Sequence, residues 1–179
     1  MRSVSAAAEI NQAISAMRMV WAVKNITVDC EWEVEFNRHG MLKIKYQIRL
    51  IQIGYLSKID DEYHALLIHT GRLPLQTQHK QHRQLPVNLL SLLGDSSVTI
   101  INVNVNGDID KLGTDFKIQH LFQRRAGKNI IDLGDFVTRR GVTHTRNVGL
   151  KQICEDALEL TIDKKSEDTL SDWNYTAMK

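Results

Sequence analysis

Asp29-Cys30-Glu31 places two carboxylates two positions apart, directly after the run Ile26-Thr27-Val28. In an extended strand, residues two apart project from the same face, so Asp29 and Glu31 would stand together while Cys30 points the other way. Carboxylates held that close repel one another unless a cation lies between them. Hard oxygen donors of this kind select magnesium or manganese over zinc. The same spacing also occurs on ordinary solvated strand faces. What sets this pair apart is the apolar run leading into it, because acids at the end of a buried strand have to be compensated.

A third acid stands in Asn106-Gly107-Asp108, after the apolar stretch Val98 to Val105 and ahead of a helical pattern. That context puts Asp108 at the C-terminal end of a strand, the edge where ligand sites of open α/β sheets gather. The other role open to an acid at such a junction is a helix N-cap.

The elements that must carry these acids can be read from hydrophobic periodicity. Ser5 to Met19 has an amphipathic helical stripe of Ala8, Ile10, Ala13, Ile14, Met17 and Val20. Val23 to Val28, continuing through Trp32, reads as a strand. Turn chemistry at Asn37-Arg38-His39-Gly40 separates it from a second strand, Leu42 to Tyr55. The nearly all-apolar run Arg49 to Tyr55 marks that second strand as central and buried on both faces. A third strand, His64 to Thr70, completes an antiparallel meander.

The pattern then changes. Gln76 to Gln84 is a polar, basic surface loop, and helices are expected over Pro86–Leu93, Asp108–Phe116, Ile130–Arg140 and Val148–Leu160, with a strand over Val98–Val105. Strands first, then strand and helix in alternation, indicate a mixed sheet covered by helices. With 179 residues the chain is expected to be a single domain over 1–179, beginning with a helix inside 1–20.

Composition excludes several classes. A 42% hydrophobic and 25% charged make-up is that of a globular domain, and two prolines with ten glycines leave little room for linkers. Two cysteines make no disulfide framework, and Cys30 in its apolar run reads as a small buried hydrophobe. No stretch reaches the roughly 18 consecutive apolar residues of a membrane helix. Glu9, Asn11 and Gln12 interrupt any secretory h-region. An intracellular setting, nucleus or cytoplasm, is therefore expected, with no membrane partner. A net charge of +2 does not by itself argue for nucleic acid, so any such case must come from local clusters.

From Val20 to Trp173 the ordered motifs resemble the DEDD exonucleases of the ribonuclease D type, especially the Werner-type exonuclease domain. The first motif is Ile26-Thr27-Val28-Asp29-Cys30-Glu31-Trp32, with Leu50-Ile51-Gln52-Ile53 on the next strand. The second is Val105-Asn106-Gly107-Asp108-Ile109-Asp110-Lys111-Leu112, followed by Asp115-Phe116, and then Asp132-Leu133 in the next helix. Gly149 to Cys154, Leu160 to Lys165 and Ser171-Asp172-Trp173 close the series.

The resemblance implies an α/β, ribonuclease H-like fold with a mixed five-stranded sheet, and hydrolysis of DNA or RNA from its 3′ end. It implies that Asp29 bridges two magnesium or manganese ions, that Glu31 helps hold one, and that Asp108 serves the second largely through water. Trp32 and Leu112 would neighbour the terminal nucleotide.

The family's last motif, a Tyr or His followed a few residues later by a fourth Asp on a helix, has no counterpart here. Tyr175 in Asn174-Tyr175-Thr176-Ala177-Met178-Lys179 has no Asp after it, and His144 lies in no comparable setting. The expectations that follow are a weak or inactive site, an absent C-terminal helix, and an apolar sheet face covered by a protein partner or a second copy. The alternative function is a catalytically silent module of the same fold that binds RNA, DNA or a protein.

Basic clusters supply the remaining candidates. Arg124 and Arg125 with Lys128, and Arg139 and Arg140 with Arg146, follow the second motif and would meet phosphates or simply be solvated. His79-Lys80-Gln81-His82-Arg83 has two histidines three apart but no Cys or acid beside them, so zinc is not expected there. Trp21, Trp32 and Trp173 are not interleaved with basic residues and are expected as core or edge aromatics rather than stacking platforms.

Overall fold

Alternation of apolar and polar side chains along the first long strand sets the architecture. Ile26, Val28 and Cys30 are buried while Asn25, Thr27 and Asp29 are exposed, the period of two that a half-covered strand requires. The computed structural model describes residues 2–36, 42–77, 82–123 and 129–162. Strand β1 is Arg2–Val4, helix α1 Ala7–Val20, β2 Trp21–Phe36, β3 Leu42–Ser57 and β4 Tyr63–His69. They are followed by α2 Val87–Gly94, β5 Thr99–Asn102, α3 Val105–Phe116, α4 Gln119–Gln123, β6 Ile130–Asp132, α5 Leu133–Arg139 and α6 Leu150–Leu158.

The sheet runs β1-β4-β3-β2-β5-β6. The pairs β2–β3 and β3–β4 are antiparallel, whereas β1–β4, β2–β5 and β5–β6 are parallel. The expected meander is present, and β3 is central, with Leu50, Ile51 and Ile53 wholly buried. One face is covered by α1 through Ile10, Ala13, Ile14 and Met17, and by α2 through Leu89, Leu92 and Leu93. Ala8 lies outside the buried stripe of α1.

Several elements differ from the sequence expectation. Among the described residues the sheet has six strands rather than five: Arg2–Val4 pairs with Leu66–Ile68 at one edge. Ile130–Asp132 is a strand paired with Ile100–Asn102, not the first turn of a helix, so α5 begins only at Leu133. Three residues are too few to display a period of two, and the pairing that makes them a strand comes from elsewhere in the chain. Strand β5 is shorter than Val98 to Val105, since Val103 and Asn104 turn and Val105 already belongs to α3. Helix α6 is trimmed at both ends relative to Val148–Leu160.

No helix among the described residues is long and apolar enough to cross a membrane. His79, Lys80, Gln81, Arg124, Arg125, Lys128, Asp163 to Lys165, Ser171 to Trp173 and Tyr175 lie outside the described residues.

Candidate functional site

Strand β5 leaves β2 early. Their pairing covers Asn25↔Thr99 and Ile26↔Ile100, whereas β2 runs on to Phe36. The edge of β2 beyond Ile26 thus needs partners other than a strand, since buried backbone groups are rarely left unpaired. Side chains supply them. Asn102, the last residue of β5, donates from Nδ2 to the Val28 carbonyl at 2.7 Å. Asp108 lies close enough to the backbone N–H of Cys30 for that group to favour its ionised form, which places it beside the residue that separates Asp29 from Glu31.

Asp108 is not the N-cap of α3. Asn104 holds that position in the left-handed region at φ 56° and ψ 35°, and Asp108 sits inside the first turn, 8% exposed. Asn102 Nδ2 also lies 3.2 Å from Asp108 Oδ2. Burial, and then the negative charge of Asp29, raise the Asp108 carboxyl from the ordinary 3.8 to about 7, against the opposing hydrogen bond from Asn102. Glu31, half-buried, is pushed up by burial first and then by Asp29. Asp29 is exposed, with Gln52 Nε2 at 3.5 Å from its Oδ2. Cys30 points the other way into the core at 5% exposure, and burial is the first cause of its strongly raised thiol.

Three acids from two elements therefore gather near the end of β5, and the charge of Asp29 raises the carboxyls of both Asp108 and Glu31. Such a donor set fits a hard divalent cation, whose charge would relieve the mutual repulsion. Their ligand atoms are not all within 4.8 Å of one another; among the described residues only Asp60, Glu62 and His64 meet that spacing. Of that trio, Asp60 and Glu62 lie on the turn between β3 and β4 and His64 is the second residue of β4, its Nε2 2.9 Å from Asp60 Oδ2. Sequence reasoning missed it, although its spacing of two and two was visible.

The other candidates are scattered. Leu112 is wholly buried in the core, so its side chain offers no surface to a nucleotide. Trp32 is partly buried against the core with the Lys111 ammonium 5.7 Å from its ring centroid. Arg139 and Arg140 are exposed at the end of α5, the first donating from Nε to the Asp135 carbonyl at 3.2 Å and the second 5.2 Å from the Phe136 ring centroid. Arg146 pairs with Asp135 at 3.4 Å.

Asp132, read from sequence as a motif residue inside a helix, is the N-cap of α5. Its Oδ1 accepts from the N–H groups of Gly134 and Asp135, and its Oδ2 from Val105 N–H at the start of α3. One carboxylate therefore fixes α3, the helix that carries Asp108, to α5. Between them opens a cleft lined by Asn104, Asn106, Asp132, Asp135, Arg146 and Asn147.

The sequence matches no protein-family model and no curated protein. Solved structures share its architecture. The EXD2 exonuclease domain soaked in Mn and Mg superposes with a TM-score of 0.55 at 20% identity, over 99% of this chain and 77% of that one. NrnC of Brucella melitensis bound to pGG gives 0.56 at 20%, over 99% and 67%. The catalytic core of RRP6 from Trypanosoma brucei gives 0.63 at 12%, over 99% of this chain and 39% of that one. Likeness at these identities establishes the fold: an α/β, ribonuclease H-like mixed sheet flanked by helices, as the motif series implied.

Proposed function

We propose that this chain is a divalent-metal-dependent 3′–5′ exonuclease domain acting on DNA or RNA, with Asp29, Glu31 and Asp108 as its metal ligands. One observation carries the reading: Asn102 Nδ2 donates to the Val28 carbonyl and lies 3.2 Å from Asp108 Oδ2, which brings Asp108 to the strand that carries Asp29 and Glu31. The structural neighbours support it, having been soaked in Mn and Mg or bound to pGG.

Magnesium or manganese, one ion or two, would supply Lewis acidity to the scissile phosphodiester and lower the pKa of the attacking water. The chain's own residues have separate tasks. Asp29 is the exposed carboxylate, open to more than one cation. Glu31 and Asp108 are more buried and less willing to stay ionised alone, so a cation is what keeps them so. Asn102 orients the Asp108 carboxylate by donating to it. Arg139 and Arg140 are exposed cations for the phosphates of the strand behind the 3′ end.

The rival is a catalytically silent module of the same fold that binds nucleic acid. It is favoured by the spacing of the three acids, which exceeds 4.8 Å for at least one pair. Both are tested by incubating a 5′-labelled oligonucleotide with Mn²⁺ and either this chain or Asp29→Asn. A ladder shortened from the 3′ end by the first and not the second supports the exonuclease. Equal inertness of both, with binding retained, replaces it by the silent module.

A further inference from the structure

Asp115 lies seven residues after Asp108 in α3, and Asp108, Lys111, Leu112 and Asp115 form one buried helical face. Asp115 Oδ2 accepts the backbone N–H of Ile48 at 2.8 Å and also the Lys111 ammonium. Both side chains of this ion pair are almost wholly buried, at 7% and 8% exposure. A buried ion pair is no reliable source of net stability, because desolvation cancels most of the attraction. Its place in the sheet points to another use.

Ile48 stands at an irregularity in the ladder. Register passes from Glu31↔Leu50 to Trp32↔Ile48, so Arg49 is an extra residue in β3 opposite the Glu31–Trp32 step. A bulge removes ladder bonds and re-aims the side chains beside it. Both backbone groups of Ile48 are taken by side chains from distant elements: Asp115 accepts its N–H, and the Thr70 hydroxyl donates to its carbonyl. Lys111 in turn faces Trp32, across the same step. The face of α3 that presents Asp108 at one end thus grips, at the other, the bulge that neighbours Glu31.

We propose that Asp115, with Lys111 as its counter-ion, is a positioning residue that clamps the bulge of β3 to α3 and so fixes the aim of Glu31 relative to Asp108. The clamp's service to a metal rests on the proposed function above; the clamp itself is a statement about β3.

The test uses Asp115→Asn, which keeps an acceptor for Ile48 N–H, and the double variant Lys111→Met/Asp115→Leu, which swaps the pair for apolar side chains. Leu89→Ala, wholly buried in α2 away from the acids, is a control for lost stability alone. Folding is checked by circular dichroism and thermal melting. Mn²⁺ binding is measured by calorimetry on the protein alone.

The double variant is expected to remain folded and to lose Mn²⁺ affinity roughly 10-fold or more, as displaced supporting groups do at metal sites. Asp115→Asn should restore most of it, and Leu89→Ala should bind as the parent does. Hydrogen exchange of the Ile48 amide should quicken by about an order of magnitude or more in the double variant and far less in Asp115→Asn. Parent-like Mn²⁺ affinity in the folded double variant overturns the positioning role. If the parent binds no Mn²⁺, or binds it equally with Asp29→Asn, the proposed function fails instead. The clamp then stands if Ile48 exchange quickens and falls if it does not.

Discussion

The side-chain amide of Asn102 lies 3.2 Å from the Asp108 carboxylate while donating to the Val28 carbonyl at 2.7 Å. One residue at the end of β5 therefore ties the edge of β2 to the first turn of α3. Asn102→Ala breaks both bonds and leaves the Val28 carbonyl, beyond the end of the β2–β5 pairing, without that donor. The expected loss is about 1–3 kcal/mol of stability, together with a roughly ten-fold or greater loss of Mn²⁺ affinity as Asp108 is freed. Urea unfolding and calorimetry measure the two losses; unchanged Mn²⁺ affinity would remove Asn102 from the site.

The acids give a pH dependence of definite sign. Asp108 is raised to about 7 in the folded protein from an ordinary 3.8, by burial first and Asp29 second. The folded state thus holds this proton where the unfolded chain has released it, so stability falls as pH rises across that window and levels off above it. Glu31 contributes with the same sign. Urea midpoints taken without divalent ions at about pH 5 and about pH 8 should differ more in the parent than in Asp108→Asn. Equal differences would count against the raised carboxyl.

Asp132 caps α5 with one oxygen and holds the first N–H of α3 with the other. Asp132→Ala removes all three bonds, and a cost of about 2 kcal/mol, the upper end for a lost N-cap, is expected in denaturant unfolding. Asp132→Asn keeps one acceptor oxygen and should lose less.

Gly134 in α5 packs against the backbone of the segment that leads to α6. A Cβ there would meet the Arg146 carbonyl oxygen at 2.3 Å, and backbone cannot rotate away as a side-chain tip can. Gly134→Ala is expected to destabilise by roughly 1–3 kcal/mol through overpacking. Gly149→Ala, whose Cβ meets nothing within 4 Å, is the near-neutral comparison in the same thermal melt.

Replacing both Arg139 and Arg140 by Ala tests the basic end of α5. If each arginine meets one phosphate, single-strand affinity should lose about 0.7 per contact from its slope of log K against log salt, about 1.4 for the pair. A slope unaltered by the double substitution would mark them as solvated surface.

What was legible in the sequence is what depends on neighbours along the chain. Alternation through Ile26, Val28 and Cys30 predicted which way Asp29 and Glu31 face, and the apolar run of β3 predicted its central place. The stripes of α1 and α2 were visible for the same reason. Strands of three residues were not: Arg2–Val4 and Ile130–Asp132 are extended because Leu66–Ile68 and Ile100–Asn102 lie beside them. Nor was the depth of Leu112, which is wholly buried, since a helical stripe does not say which side of a site it will lie on.

Local periodicity, then, determined by itself the meander, the covering helices and the types of the three acids. Tertiary structure alone decided that β5 stops short of β2, that Asn102 meets both the vacated edge at Val28 and Asp108, and that Asp115 reaches Ile48 across 67 positions of chain. The physical reason is the same in each case. Hydrogen bonds left open by one element are closed by side chains whose distance along the chain carries no periodic signature, so only the folded packing can assign them.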